Sequence, residues 1–499
     1  MPVQERILER FFAGFRQRVI GNGQIFTSPY GEKEIIYADW TASGRAYRPI
    51  EECIQNEILP FVANTHTGTT LTGSLMSGAY EEARVIVKQH VNADYEDVLV
   101  FCGSGMTGAV NKLQRILGLR VPGRLLPYFN KEELGDAAPV VFVTHMEHHS
   151  NQISWLETIA TVEIIGADEH GNVDLVHFRS LLDQYRHRKN KIAAVTACSN
   201  VTGIQTPYRA IAALIHAYGG WCFVDFACSA PYVDIDMHPG EPGTQLDAIY
   251  FSPHKFLGGP GTPGVLVFNK HLCSNTVPDQ PGGGTVLYSN PWKLHEYVPS
   301  IEQREDGGTP PFLGGIKAAM CIRLKEAMGV ANILHREEEL MRLIFARFAR
   351  MKNVKVLEAS HQNRLGVVSF IIPGAHYNLI VKLLNDRFGI QTRGGCSCAG
   401  TYGHYLLGVD EARSLEILDS MRTGDLSCKP GWIRLSVHPT MTDAETGFIM
   451  DAIESTVSHF QEWMKDYIYD PGTNEYSFKV IEAKEQSKIG DWFNVSNWG

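Results

Sequence analysis

The residues of this chain best suited to covalent chemistry lie in FSPHKFLGGPGTPGVLVF, where a strand runs into Ser252, Pro253, His254 and Lys255, followed by a loop with Gly258, Gly259, Gly261 and Gly264. A lysine enclosed at a strand end is pushed toward the neutral, nucleophilic amine that Schiff-base formation needs. In a surface turn the same lysine would be solvated and inert, and the motif alone does not separate the two. WCFVDFA ends on Asp225, a carboxylate that is costly to bury without a partner. A protonated ring nitrogen is one such partner, and a helix cap or an ordinary salt bridge would be another. FCGSGMTGAVNKL sets Gly103, Ser104, Gly105, Met106 and Thr107 between a strand and a helix. Free backbone N–H groups and a hydroxyl there suit a phosphate, and the GK[ST] of a nucleotide loop is missing. These three signals describe one ligand. THMEHHSNQISW crowds His145, Glu147, His148 and His149 together. A metal is one reading, but neighbours on a turn seldom converge on one ion, and an imidazole stacked on a flat ring is equally economical.

A second kind of chemistry is written in TRGGCSCAG, where Cys396 and Cys398 share a polar, glycine-bearing loop with Arg393. Nearby positive charge favours the thiolate, and the glycines Gly394, Gly395, Gly400 and Gly403 let such a loop move. Cysteine is more often a small buried residue, and a lone CxC lacks the further ligands that zinc requires.

The elements that must position these groups follow from the hydrophobic pattern. Between residues 97 and 268 short apolar runs (DVLVF, VVFVT, TVEIIGA, KIAAVTA, WCFVDFA, DAIYFS, GVLVF) alternate with helical patterns. That alternation predicts an α/β unit on a mostly parallel sheet with ligands at the strand ends. VPGRLLPYFNKEELGDAA, residues 121–138, reads as a surface insertion. Beyond residue 310, long helical patterns and the strands VKVLE, GVVSFII and WIRLSV predict a smaller α/β domain. The expected boundaries are a helical segment 1–35 packing on the small domain, a large domain 36–310, the small domain 311–470 and an extension 471–499. Ile7, Phe11, Phe12, Phe15 and Val19 recur at helical spacing and are expected to form one buried stripe. Trp492, Phe493 and Trp498 suggest that the tail packs.

Composition sets the outer limits. The 499 residues are 44% hydrophobic and 20% charged, with net charge −10, which matches a globular protein and excludes disorder or a collagen-like repeat. The negative balance supplies no field that would draw the chain to nucleic acid or an anionic membrane. Ten cysteines without regular pairs point to a reducing compartment, and the amino terminus has no signal-peptide pattern. The expectation is a soluble, cytoplasmic protein with no metal.

Taken in order, YADWTASGR, ANTHTGTT, GSGMTGAVN, MEHHSN, SNVTGIQTP, VDFACSAP, SPHK, EDGGTP, RGGCSCAG and WIRLSVHPT resemble the class V branch of fold-type-I pyridoxal phosphate enzymes. Within that branch the chain is most similar to the cysteine desulfurases and selenocysteine lyases, over roughly residues 36 to 450. The resemblance implies a large domain with a seven-stranded-type sheet and a small carboxyl-terminal domain. It also implies pyridoxal 5'-phosphate as cofactor, a small amino acid as substrate, a homodimer with shared active sites and a sulfur-acceptor protein as partner. Position by position, it makes Lys255 the Schiff-base lysine and proton shuttle, Asp225 the ring-nitrogen partner and His148 the stacking imidazole. Asn200 falls near the ring hydroxyl and the substrate carboxylate. Gly105, Met106, Thr107, Ser252 and His254 hold the phosphate, and Thr309 reaches the phosphate of the neighbouring subunit. Arg434 grips the substrate carboxylate, a task suited to its two-pronged donor geometry, with His66 and Arg393 beside the substrate. Cys398 falls on the sulfur-accepting position. Two departures stand out: Cys228 replaces the glutamine that usually donates to the ring hydroxyl, and Cys396 replaces a histidine. A class V enzyme with another reaction (amino transfer, β-elimination or epimerisation) is the alternative. A scaffold that lost catalysis is a further rival, against which Lys255, Asp225 and the phosphate loop argue together.

Overall fold

A computed structural model describes residues 5–65, 67–479 and 489–497. Seven strands form the large sheet, in the spatial order Asp97–Cys102, Gly264–Asn269, Ala248–Phe251, Trp221–Asp225, Lys191–Thr196, Val140–Thr144 and Thr161–Ile165. Gly264–Asn269 runs antiparallel to both neighbours, and the remaining pairs are parallel. Val140–Thr144 is buried at every residue, as expected of a strand covered on both faces. Thr161–Ile165, at the sheet edge, is largely half-buried.

The helix Gly105–Ile116 shows how sequence pattern becomes position. Met106, Ala109, Val110, Leu113 and Ile116 are buried on one face, the spacing of an amphipathic helix. That face packs with Val98, Val100, Tyr250 and Leu266 of the sheet. Docking it there leaves the amino-terminal end of the helix beside the loop that follows Ala248–Phe251.

A second sheet of four strands carries the carboxyl-terminal chemistry, in the order Lys355–Val356, Val367–Ile371, Trp432–Ser436 and Arg393–Gly395. All its pairings are antiparallel. Trp432–Ser436 is buried throughout. The helices Val330–Phe348, Tyr377–Phe388 and Asp443–Trp463 bury apolar faces in the same core. The short strand Ile36–Tyr37 pairs in parallel with Ile390–Gln391, so the segment that follows it is held against this second sheet. Among the described residues no helix is long and apolar enough to cross a membrane. Residues 121–138 form short helical turns that lie mostly at the surface, as expected.

Two packing expectations are corrected. Helix Glu5–Arg16 does not bury one continuous stripe: Phe12 is 1% exposed, whereas Ile7 and Phe11 are 58% and 41% exposed. Ion pairs from Arg16 to Glu445 and from Glu9 to Arg336 flank the helix. They dock it by its Phe12 edge, and Ile7 lies outside that narrow contact. Val19 is buried but lies beyond the helix, bridging Tyr47. In the tail, the hairpin Tyr467–Asp470 with Glu475–Phe478 does pack, through Tyr467 and Phe478. Trp492 and Phe493 are exposed, at 63% and 77%. Trp498 lies outside the described residues.

Candidate active site

Five strands of the large sheet deliver side chains to one cavity of about 240 Å³ at their carboxyl ends, the expected ligand position in an open parallel sheet. Asp97–Cys102 leads to Ser104, Met106 and Thr107; Val140–Thr144 leads to His148; Lys191–Thr196 leads to Cys198 and Asn200. Trp221–Asp225 ends on Asp225, and Ala248–Phe251 leads to Ser252, His254 and Lys255. The second sheet closes the other side with Arg393, Ser397, Cys398 and Arg434.

Lys255 ends a single helical turn, Pro253–Lys255, whose N–H donates to the Ser252 carbonyl at 3.0 Å. The turn is tight because the chain folds back on it at Gly259, where a Cβ would stand 1.9 Å from the Pro253 carbonyl oxygen. Burial lowers the Lys255 pKa, opposed in part by Cys228 and Asp225. Burial likewise raises Asp225 to about 6, against the opposing pull of the Ala227 N–H and of Lys255; its Oδ1 accepts that N–H at 2.8 Å. Among the described residues Asp225 forms no salt bridge, and its carboxylate's one hydrogen bond is from that N–H.

His148 caps the helix His149–Leu156, its Nδ1 accepting from the Ser150 N–H at 3.1 Å. Burial first, and then Lys255, lower its pKa to about 3, so the ring is neutral. The neighbouring Glu147 is no metal ligand in this arrangement. Its carboxylate accepts from the Thr144 hydroxyl and N–H, the Thr196 N–H and the Asn151 amide. Burial raises it to about 7. It ties two strand ends together beneath the cavity.

At the phosphate-loop end the Met106 N–H donates to Ser252 Oγ at 2.8 Å, and the Thr107 and Ser150 hydroxyls are 2.7 Å apart. Gly105 has φ +60°, and a Cβ there would stand 2.9 Å from both Ser252 Oγ and His254 Cε1. The cradle therefore exists because residue 105 has no side chain. Burial lowers His254 to about 4.

The second sheet sorts the two loop cysteines. Cys398 is exposed and lines the cavity. Cys396 packs against the cluster of Tyr402 and Trp432. Ser397 and Cys398 have φ +51° and +56°, a left-handed backbone uncommon for side chains of this kind. Three contacts hold it: the His149 N–H to the Cys398 carbonyl at 2.7 Å, Asn200 Nδ2 to the Ser397 carbonyl at 2.7 Å, and the Gly400 N–H to His149 Nε2 at 3.0 Å.

Thr309 is exposed, away from this cavity, with its hydroxyl 3.5 Å from Asn64 Oδ1. His66 lies outside the described residues. Four further residues carry weight that their sequence context does not mark. Asp39 binds both Arg393 and Arg434, and its signal was a lone acid after the apolar IIYA. His149 pins the cysteine loop, and Ser150 faces Thr107. Cys198 sits with its sulfur 4.0 Å from that of Cys228, a pairing of strand ends with no sequence signature. Hydrogen bonding from Cys198, together with Lys255 and Arg434, makes Cys228 the more acidic of the two thiols; burial pushes Cys198 up.

A model of the family described as Aminotransferase class-V matches residues 36–446. The chain belongs to that family. A probable cysteine desulfurase of Halalkalibacterium halodurans is 29% identical to this class-V chain over 373 residues, covering 73% of it and 84% of the relative. Another, from Staphylococcus aureus, is 27% identical over 385 residues, covering 76% and 87%. The solved apo structure of a cysteine desulfurase from Thermococcus onnurineus NA1 superposes with TM-score 0.68 at 25% identity, covering 85% of this chain and 95% of that one. A cysteine desulfurase from Escherichia coli shares the fold, with TM-score 0.67 at 20% identity over 90% and 98% of the two chains.

Class-V enzymes work with pyridoxal 5'-phosphate, and the residues present suit it. The Gly105 cradle is open at a helix amino terminus, and among the described residues Asp225 is a buried carboxylate in no salt bridge and Asn200 Oδ1 is buried with no hydrogen-bond partner. Gly105→Ala is accordingly expected to weaken cofactor uptake about tenfold or more, roughly 1.4 kcal/mol. The left-handed backbone should destabilise the fold by a further 1–2 kcal/mol, approximately. Titration of the cofactor-free protein and its melting curve check the two effects separately.

Proposed function

We propose that this class-V chain is a pyridoxal-phosphate-dependent cysteine desulfurase. It removes sulfur, or selenium from the selenium analogue, from a small amino acid and leaves alanine. The observation that carries this reading is one cavity lined by Lys255, Asp225, Arg434 and Cys398 together. The names of the curated relatives support it.

The cofactor, when bound, supplies an electron sink for the bonds at the substrate Cα. Lys255 would hold it and move the Cα proton. Asp225 would keep the ring nitrogen protonated, His148 would cover the ring, and the helix end at Met106 and Thr107 with Ser252 and His254 would hold the phosphate. Arg434 orients the α-carboxylate by donating N–H bonds. The Cys398 thiolate attacks the substrate sulfur: the S–S bond forms, the substrate C–S bond breaks, and a proton returns to the substrate Cβ. The sum, cysteine plus thiol giving alanine plus persulfide, balances. An acceptor protein or a small thiol then takes the sulfur. A homodimer in which Thr309 reaches the partner's phosphate, and a cytoplasmic setting, belong to the same proposal.

The test is release of sulfide and alanine from L-cysteine by the cofactor-loaded protein with a thiol reductant. Equal yields are the expected result. No alanine, with a cofactor spectral shift produced by some other amino acid, would replace this reading by another class-V reaction.

A further inference from the structure

Arg393 and Arg434 are directly opposed in register on neighbouring antiparallel strands. Like charges in that relation repel. Here both line the cavity, and Asp39 stands between them. Its Oδ2 accepts from Arg393 Nε at 2.9 Å and its Oδ1 from Arg434 Nη2 at 2.7 Å, so each carboxylate oxygen is taken by a different guanidinium. Asp39 is buried, its backbone bridges Ser436 two residues beyond Arg434, and its carbonyl accepts the Tyr37 hydroxyl. The carboxylate is therefore held in place by the chain and not by the arginines alone.

The charge count at this end of the cavity follows. Two guanidiniums and one carboxylate leave a single net positive charge. Arg434 commits one N–H of Nη2 to Asp39 and one N–H of Nη1 to the Asn200 carbonyl. The second N–H of each terminal nitrogen remains for one incoming carboxylate. A second acidic group entering beside it would meet the Asp39 carboxylate, which already offsets one of the two positive charges.

We propose that Asp39 is a specificity-determining residue. By neutralising one of two opposed arginines, it sets the site for an amino acid with one carboxylate and an uncharged side chain, and against one with an acidic side chain. This rests on the reading of the cavity as an amino-acid site built around pyridoxal phosphate. Within that reading Asp39 is also a positioning residue, since it fixes the planes of both guanidiniums.

The test uses the cofactor-loaded protein and two probes, L-alanine and L-aspartate, whose binding is followed by the change in cofactor absorption. Wild type is expected to bind L-aspartate at least about tenfold more weakly than L-alanine, and Asp39→Asn to narrow that ratio by about tenfold. Asp39→Glu, which keeps the charge, should restore discrimination. A merely structural role would weaken both probes together and leave the ratio alone. If Asp39→Asn does not fold or take up cofactor, Arg393→Gln at a half-exposed position serves instead and should widen the ratio. An unchanged ratio in the variants, with both probes bound, overturns the assignment of Asp39. If no amino acid alters the wild-type spectrum, the reading of the cavity falls, and the Asp39 proposal with it.

Discussion

Lys255→Ala is expected to stop sulfide and alanine release from L-cysteine, a fall of about 10⁴-fold or more, because in the proposed mechanism one side chain both holds the cofactor and moves a proton. The geometry gives it no substitute. It lies at the end of a closed turn, and the histidines nearest to it in the cavity, His148 and His254, are held neutral and weakly basic by burial, at about 3 and about 4. Lys255→Arg should not rescue activity, since a guanidinium stays protonated and cannot act as the nucleophilic amine. Borohydride treatment separates chemistry from folding: wild type should retain cofactor covalently through denaturation, and Lys255→Ala should not. Retention of more than a tenth of wild-type turnover in Lys255→Ala would remove this lysine from its role.

Cys398→Ser is expected to lower alanine release by about 100-fold or more, the lower end of what loss of a positioned reacting group costs. Cys396→Ser should stay within about threefold, as its side chain packs beside the cavity and has no part in the proposed chemistry. The asymmetry comes from the loop backbone. Two successive residues in the left-handed region, Ser397 and Cys398, turn the chain so that the second thiol of the CxC lines the cavity, while the first faces Trp432 and Tyr402. Such a conformation costs about 1–2 kcal/mol per residue. The hydrogen bonds from His149 and Asn200 to the loop carbonyls hold it. Mass spectrometry of the loop peptide after exposure to L-cysteine without reductant should find one added sulfur on Cys398. The same sulfur on Cys396, with Cys398→Ser fully active, would reverse the assignment.

Much of the fold was readable because its determinants are local. Buried parallel strands appear as unbroken apolar runs, so the seven strands of the large sheet were marked one by one. Lys255 and Asp225 were conspicuous as polar residues placed where such runs end. The glycine turn at Gly105 was visible between a strand and a helix, and because such turns are common it pointed to a phosphate only together with Lys255 and Asp225.

What stayed hidden was every feature set by contact between distant residues. Ile7 and Phe11 share the periodicity of Phe12, yet which edge of a helix meets the core depends on the ion pairs of Arg16 and Glu9 with residues of the second half of the chain. Trp492 and Phe493 look like core residues by type and are exposed. The Cys198–Cys228 proximity joins the ends of two adjacent strands, and the clamp on Arg434 spans 395 positions of sequence. The amino-acid sequence by itself determined the α/β architecture, the class-V motif order and the lysine and aspartate of the cavity, since periodicity and strand-end residues act within a few positions. The loop register pointed to Cys398, and the tertiary structure is what brings that thiol to the cavity and sets Asp39 between two arginines. Those depend on how two sheets far apart in the chain are brought together, and no local pattern encodes that.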